Sequence, residues 1–192
     1  MKILKILWLF FCSIMIVPFT NRHERELICG DTLRWAEWKE TKCSKWFFFR
    51  LFAECKEFRS VIYYRLRRRF RYLPSIFLKG QNSCYISSHS TGKGLILIHG
   101  YSTSINCKSI GEKCTVFQNV TLGYSQGHIP TIGNNCVFGC GAIVLGNIRI
   151  GNNVIVGAGA VVKQDIPDNS VVTGNPCQIR PKNFNGEILD YV

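Results

Sequence analysis

Three shortages mark this chain. Acid is scarce: 12 Asp and Glu stand against 24 Lys and Arg, a formal net charge of +12. Glycine is almost missing from the front, where only Gly30 precedes Gly80, and sixteen of the seventeen Gly lie from Gly80 onward. The ten cysteines include no C-x-x-C pair, the closest spacing being Cys136 to Cys140. That excludes the two paired clusters by which structural zinc sites are read. It leaves the thiols as reduced, mostly buried small hydrophobes of a cytosolic protein. Long apolar runs are lacking too. The longest, Ile6–Phe19, holds fourteen residues, short of the roughly 20 that a membrane-spanning helix needs. Pro18-Phe19-Thr20-Asn21 is a poor cleavage site, which argues against a signal peptide.

What is present divides the chain in two. Hydrophobic residues at 46% and charged ones at 19% exclude a disordered chain, and 192 residues suffice for one domain with a helical appendage. Residues 1–83 carry a net charge of +10 and residues 84–192 only +2. From Asp31 to Tyr72 the pattern predicts helices, with Trp35, Trp38, Cys43 and Trp46 near helical spacing and Pro74 ending the run. Arg65, Arg67, Arg68, Arg69 and Arg71 form a basic cluster among aromatics. No zinc finger, helix-turn-helix or RNA-binding signature accompanies it, so a nucleic-acid partner is not expected. Ile6–Phe19, preceded by Lys2 and Lys5, reads either as a helix lying on a membrane surface or as one packed on the protein. Residues 1–20 would then give peripheral contact with the inner face of the membrane, where a basic cluster adds about 1 kcal/mol per charge.

The glycine-rich half repeats itself. Steps of six from Ile132 reach Phe138, Val144, Ile150, Val156 and Val162, all apolar. Steps back from Leu122 reach Val116, Ile110, Ser104 and Ile98. A second small or apolar series runs Cys136, Ala142, Ile148, Val154 and Ala160, and Gly follows the first series at 111, 123, 133, 139, 151 and 157. A period of six fits neither a 3.6-residue helix nor an alternating strand. It predicts short strands joined by corners, one side chain of each entering a narrow core, with Gly supplying backbone freedom at the corners. The register breaks between Leu122 and Ile132, so Tyr124–Ile129 must loop out, carrying His128.

These residues resemble the hexapeptide-repeat acyltransferases, whose fold is a left-handed parallel β-helix, and among them the serine acetyltransferase group. The matching stretches are GKGLILIHG at 92–100, VFQNVTLG at 116–123, FGCGAIVLGNIRIGNNVIVGAGAVV at 138–162 and DIPDNSVVTGNPCQI at 165–179. EFRSVIYYRL at 57–66 resembles the helical segment of relatives linked to bacterial surface polysaccharides. The expected fold is mainly β: an α-helical region over 1–83, the β-helix acetyltransferase domain over 84–179, and a tail over 180–192.

The resemblance implies acetyl transfer from acetyl-CoA to a hydroxyl, with no metal, in a cytoplasmic homotrimer. His99 takes the place of the general base, a role that imidazole suits near neutral pH. His128 takes that of an acceptor-binding loop His, although it stands one residue further from Pro130 than the family pattern has it. Gly123, Cys140, Gly141, Ala158 and Gly159 would line the pantetheine groove, and Lys163, Arg180 and Lys182 would meet the phosphates. Two family carboxylates are missing: Ile98 stands where one precedes the base, and Tyr85 aligns near the other. Their loss leaves the partner of His99 open, to a backbone carbonyl or a side chain of a neighbouring subunit. It also keeps a saccharide acceptor beside L-serine. A non-catalytic scaffold is the remote alternative, and a zinc enzyme like the γ-class carbonic anhydrases would need a histidine spacing that His89, His99 and His128 lack.

Overall fold

The structure, a computed structural model, describes residues 20–66, 75–76 and 78–182. The expectations for the apolar run Ile6–Phe19 and for Arg67, Arg68, Arg69 and Arg71 lie outside the described residues. The chain forms two compact units, 1–82 and 83–192.

In the first unit three helices are described: α1 (Arg22–Trp38), α2 (Lys45–Glu54) and α3 (Lys56–Arg65). Helix α1 starts nine residues before the predicted Asp31. A capping box sets its start, the Asn21 side chain accepting from the Glu24 N–H at 2.8 Å while Glu24 accepts from the Asn21 N–H at 2.9 Å. Ser44 caps α2, so Cys43 sits in a loop and the helical spacing through Trp46 does not hold. Cys55 is extended (φ −104°, ψ 112°) and breaks α2 from α3. Trp35, Phe52, Phe58 and Ile62 are buried to 2% or less, each contributing roughly 1.5–3 kcal/mol.

Two arginines of this unit are structural. Arg59 is buried and donates to the carbonyls of Phe52 and Ala53 (both 2.8 Å), filling acceptors that the end of α2 leaves open. Arg65 is the described member of the expected basic cluster, but its side chain is 2% exposed. It forms two bonds to Asp31, at 2.9 and 3.1 Å. It therefore offers no charge to a lipid or phosphate surface.

The second unit is a hexapeptide β-helix of the left-handed kind, its strands stacked in parallel on three faces. One face stacks β1 (Cys84–Ile86), β3 (Thr103–Ile105), β6 (Thr121–Gly123), β9 (Ile143–Leu145) and β12 (Val161–Val162). A second stacks β4 (Ser109–Ile110), β7 (Thr131–Ile132) and β10 (Arg149–Ile150). The third stacks β2 (Ile96–Leu97), β5 (Thr115–Val116), β8 (Val137–Phe138), β11 (Ile155–Val156) and β13 (Ser170–Thr173), and ends in the antiparallel β14 (Gln178–Pro181). The column predicted from Ile110 to Val162 is the core, every member being at most 2% exposed. Small Cys136, Ala142, Val154 and Ala160 are buried beside it.

The backward extension of the column is corrected by the strand pairing. Leu97 pairs with Val116 and Ile105 with Leu122, so Leu97 and Ile105, not Ile98 and Ser104, enter the core. Leu97 to Ile105 spans eight residues, two more than a hexad.

The glycine that follows each core residue is also corrected in its physical role. Gly133 does not adopt positive φ; a Cβ there would lie 2.6 Å from the Gly151 carbonyl oxygen of the next coil. Close approach of coils, not backbone freedom, excludes a side chain at this position. The left-handed conformation falls two residues later, on Lys113, Asn135, Asn153 and Asn169 (φ 54–58°). Asn135 donates to Asn153 at 3.1 Å and Asn153 to Asn169 at 2.7 Å, an amide ladder down one corner.

The nine described cysteines are free thiols, but only Cys107, Cys114 and Cys136 are buried, and Cys29 and Cys43 are exposed. "Mostly buried" therefore overstates them. Burial pushes the Cys107 thiol up to about 12, which keeps it protonated and inert.

Candidate active site

Each coil turns through a corner between the third face and the first. In three successive coils the corner is a simple one: Phe117-Gln118-Asn119, Gly139-Cys140-Gly141 and Gly157-Ala158-Gly159. Hydrogen bonds fix their alignment, Gly141 N–H donating to Gln118 O at 3.0 Å and Gly159 N–H to Cys140 O at 2.9 Å. In the coil above, Ile98 N–H donates to Val116 O and Asn119 N–H to Tyr101 O, both at 2.8 Å. Ile98 therefore stacks on Phe117, and Tyr101 on Gln118. His99 and Gly100 are the two extra residues, inserted where every lower coil has none.

The insertion closes on itself. Gly100 N–H donates to Ile98 O at 2.7 Å across His99, whose φ is 60°. A three-residue turn of this kind holds a non-glycine residue in a sparsely populated conformation, an arrangement that persists mainly at functional sites. The His99 side chain is exposed and makes no hydrogen bond among the described residues. Thr103, fully buried, shares its single hydroxyl proton between Tyr101 O (3.1 Å) and Phe117 O (3.3 Å) and ties the insertion to the coil below.

Below His99 the corner is stripped of bulk. Cys140 and Ala158 follow Gln118 in the stack, and Gly141 and Gly159 follow Asn119. A Cβ added at Gly141 or Gly159 would meet nothing within 4 Å, and both residues have positive φ (71° and 66°). The corner therefore presents open space along two coils beneath the imidazole. Its lining is suited to an extended, amide-bearing ligand arm that approaches the backbone closely.

The remaining predicted site residues lie elsewhere. Gly123 ends β6 at the next corner and has only ordinary contacts around a built Cβ. From that corner Tyr124–Ile129 leaves the coil, as expected, as a tight hairpin. Ser125 and His128 exchange backbone bonds of 2.9 and 3.0 Å, with Gln126 and Gly127 left-handed between them. His128 is exposed at the hairpin's end. Lys163 follows β12 at this same corner, and Arg180 sits exposed on β14. Lys182 is engaged: its Nζ donates to Asn153 Oδ1 at 2.7 Å on the asparagine corner. Of the positions picked from sequence, His99, Cys140, Gly141, Ala158 and Gly159 thus share one corner, and His128, Gly123 and Lys163 share another.

Two residues of the His99 corner, Tyr101 and Gln118, escaped the sequence reading. Tyr101 is 57% exposed beside the insertion; Tyr85, already singled out in the sequence, is 70% exposed on β1, where it pairs with Ser104. Gln118 holds a side-chain oxygen, Oε1, that is buried without a hydrogen-bond partner. Its mark in the sequence is slight, a polar residue between Phe117 and Asn119.

Comparison with known proteins places these features. Residues 129–164 match the family model "Bacterial transferase hexapeptide (six repeats)". A serine acetyltransferase of Synechococcus elongatus is 44% identical over 93 residues, which cover 46% of this chain and 38% of that protein. The match thus covers well under half of that relative's length. The structure of a serine acetyltransferase of Neisseria gonorrhoeae in complex with serine superposes with a TM-score of 0.61 at 27% identity, over 82% of this chain and 69% of the other. A serine acetyltransferase in complex with CoA superposes with a TM-score of 0.60 over 83% of this chain and 71% of the other; at 20% identity this likeness concerns the fold. The chain carries the hexapeptide repeat of the bacterial transferases and resembles serine acetyltransferases.

Proposed function

From a hexapeptide β-helix with this resemblance, we propose that the protein is an acetyl-CoA-dependent O-acetyltransferase acting on a hydroxyl of L-serine or a related acceptor. The observation that carries the reading is the two-residue insertion that lifts His99 over a corner whose two lower coils leave open space at Gly141 and Gly159. His99 takes the hydroxyl proton as the oxygen attacks the thioester carbonyl. The carbon–sulfur bond then breaks, and the proton passes from the imidazolium to the leaving thiolate. Cys140, Gly141, Ala158 and Gly159 line the groove for the pantetheine arm. Positioned proton transfer supplies roughly 10²–10⁴ in rate. Thiol release from acetyl-CoA with L-serine, in wild type and His99→Ala, tests this: the variant is expected to lose at least about a hundredfold in kcat. An unchanged rate removes His99 as the base.

A homotrimer fits the placement of the two histidines. His99 and His128 leave the β-helix at different corners, so a site that uses both forms between copies, each giving one. Mixing His99→Ala with His128→Ala subunits is then expected to restore part of the activity each lacks alone. Absence of complementation separates His128 from the site.

A saccharide acceptor is the second reading, favoured by one observation. Among the described residues of the β-helix the acidic side chains are Glu112, Asp165 and Asp168, and all three lie on the other two corners. None is placed to hold an amino acid's ammonium group beside His99, whereas exposed Tyr85 and Tyr101 offer ring faces to a sugar. A screen of L-serine against nucleotide-linked and polymeric sugars decides between the acceptors. The cytoplasmic side and peripheral membrane contact through residues 1–20 complete the proposal; deletion of that segment followed by cell fractionation tests the contact.

A further inference from the structure

We propose that Gln118 is the positioning residue of His99, its side-chain carbonyl accepting the imidazole N–H and so fixing which ring nitrogen is free to take the hydroxyl proton. The inference rests on the acetyl-transfer reading, in which His99 is the base. It does not follow from that reading, because the stretch around His99 lacks the carboxylate expected to orient it.

Three observations converge. The first is the unsatisfied oxygen itself. A buried carbonyl without a donor costs about 1–3 kcal/mol, and Gln118 Oε1 is in that state. The corner does not demand a glutamine, since Cys140 and Ala158 fill the same place one and two coils below. The second is position. The bonds that clamp the insertion land on Val116 and Asn119, on either side of Phe117-Gln118. Ile98 and Tyr101 stack on this dipeptide at a coil spacing of about 4.8 Å, and the His99-Gly100 turn leaves the chain between them, on the same corner as the Gln118 side chain. The third is the base. Neutral imidazole has one N–H donor and one acceptor nitrogen, and His99 has neither engaged in the described chain. A donor without an acceptor thus shares a corner with an acceptor without a donor.

The titratable side chains on this corner are His99, Tyr101 and Cys140; no carboxylate or cation stands on it among the described residues. A carboxamide orients the ring without adding charge. With an acceptor molecule on the solvent side, the exposed ring folds down onto the corner, the Gln118 carbonyl takes its N–H, and the other nitrogen faces the hydroxyl.

Two substitutions and two measurements test the pairing in the full chain. Gln118→Leu removes the acceptor and is expected to lower kcat about tenfold or more while KM for acetyl-CoA stays unchanged. Because it also removes an unsatisfied polar atom, its Tm is expected at or above wild type. Gln118→Glu keeps the acceptor but adds charge, favouring imidazolium, so the acid limb of the kcat/KM profile moves up by about one pH unit. Proton NMR of the His99 ring, assigned with His99→Ala, reads the same upward move without any turnover. Identical His99 titration in wild type and both variants overturns the pairing. So does a Leu variant that raises KM alone, which would make the side chain a cosubstrate contact, or one that fails to fold, which would make it structural. If the NMR titration moves but no acceptor is acetylated, the pairing stands and the acetyl-transfer reading falls.

Discussion

Two corners of the same β-helix use one backbone shape for opposite ends. The asparagine corner keeps its side chains: Asn135, Asn153 and Asn169 adopt the left-handed conformation and bond to one another from coil to coil. The His99 corner sheds them: its left-handed positions run Ser102, Asn119, Gly141 and Gly159, from polar to nothing. The first column is bonded along its length, and the second is empty at its lower end. A repeat therefore separates cohesion from binding by choosing residues at one offset, without altering the fold that carries both.

That contrast can be broken at either corner. The largest effect is expected from Gly133→Ala, whose Cβ would meet the backbone of the next coil at 2.6 Å. Forcing the coils apart should cost about 3 kcal/mol, read from urea unfolding; a cost under 1 kcal/mol would show the coils slide freely. Asn153→Ala comes next. It removes bonds to Asn135, Asn169 and Lys182 and places alanine at φ 56°, for about 2 kcal/mol with catalysis unchanged. Gly141→Ala inverts the pattern: it meets nothing, strains a φ of 71° by about 1 kcal/mol, and should raise KM for acetyl-CoA severalfold. An unchanged KM would mean the groove runs elsewhere. The smallest effect belongs to pH. Asp168 is held below the usual carboxylate range by the Asn152 backbone and side-chain donors. Its contribution is present above about pH 4 and is lost as pH falls through the lowered value. Asp168→Asn should flatten the fall of Tm below about pH 4, and an identical fall would remove Asp168 as its cause.

Much of this was legible because a solenoid writes its core at a fixed step. From Ile110 to Val162 the column needed no tertiary information. It failed at Ile98 and Ser104 because Leu95, Ile96, Leu97 and Ile98 are all apolar and conceal the register; polar Ser104 was the sign that a shift had occurred. The same shift conceals the His99–Gly100 insertion, which appears only when the strands are paired. Periodic glycine was visible, but its cause was not. Backbone freedom and close approach leave one mark in a sequence, and only the neighbouring coil distinguishes them. Arg65 read as surface charge because its partner, Asp31, is 34 residues away. Gln118 carried no periodic signal at all: its interest lies in a bond that is missing.

A stack of like coils has no inherent length, since the last parallel strand offers the same open edge as the one before. Here the chain sets its own length. After β13 it reverses, and β14 covers that edge antiparallel through four paired residues, Gln178 to Pro181. Lys182 then reaches back to both Asn153 and Asn169. The reversal is a stop signal against end-to-end growth: without it β13 would be a template for another molecule's strand. The turn after the last coil thus closes the β13 edge, on its face of the repeat, to pairing with another strand.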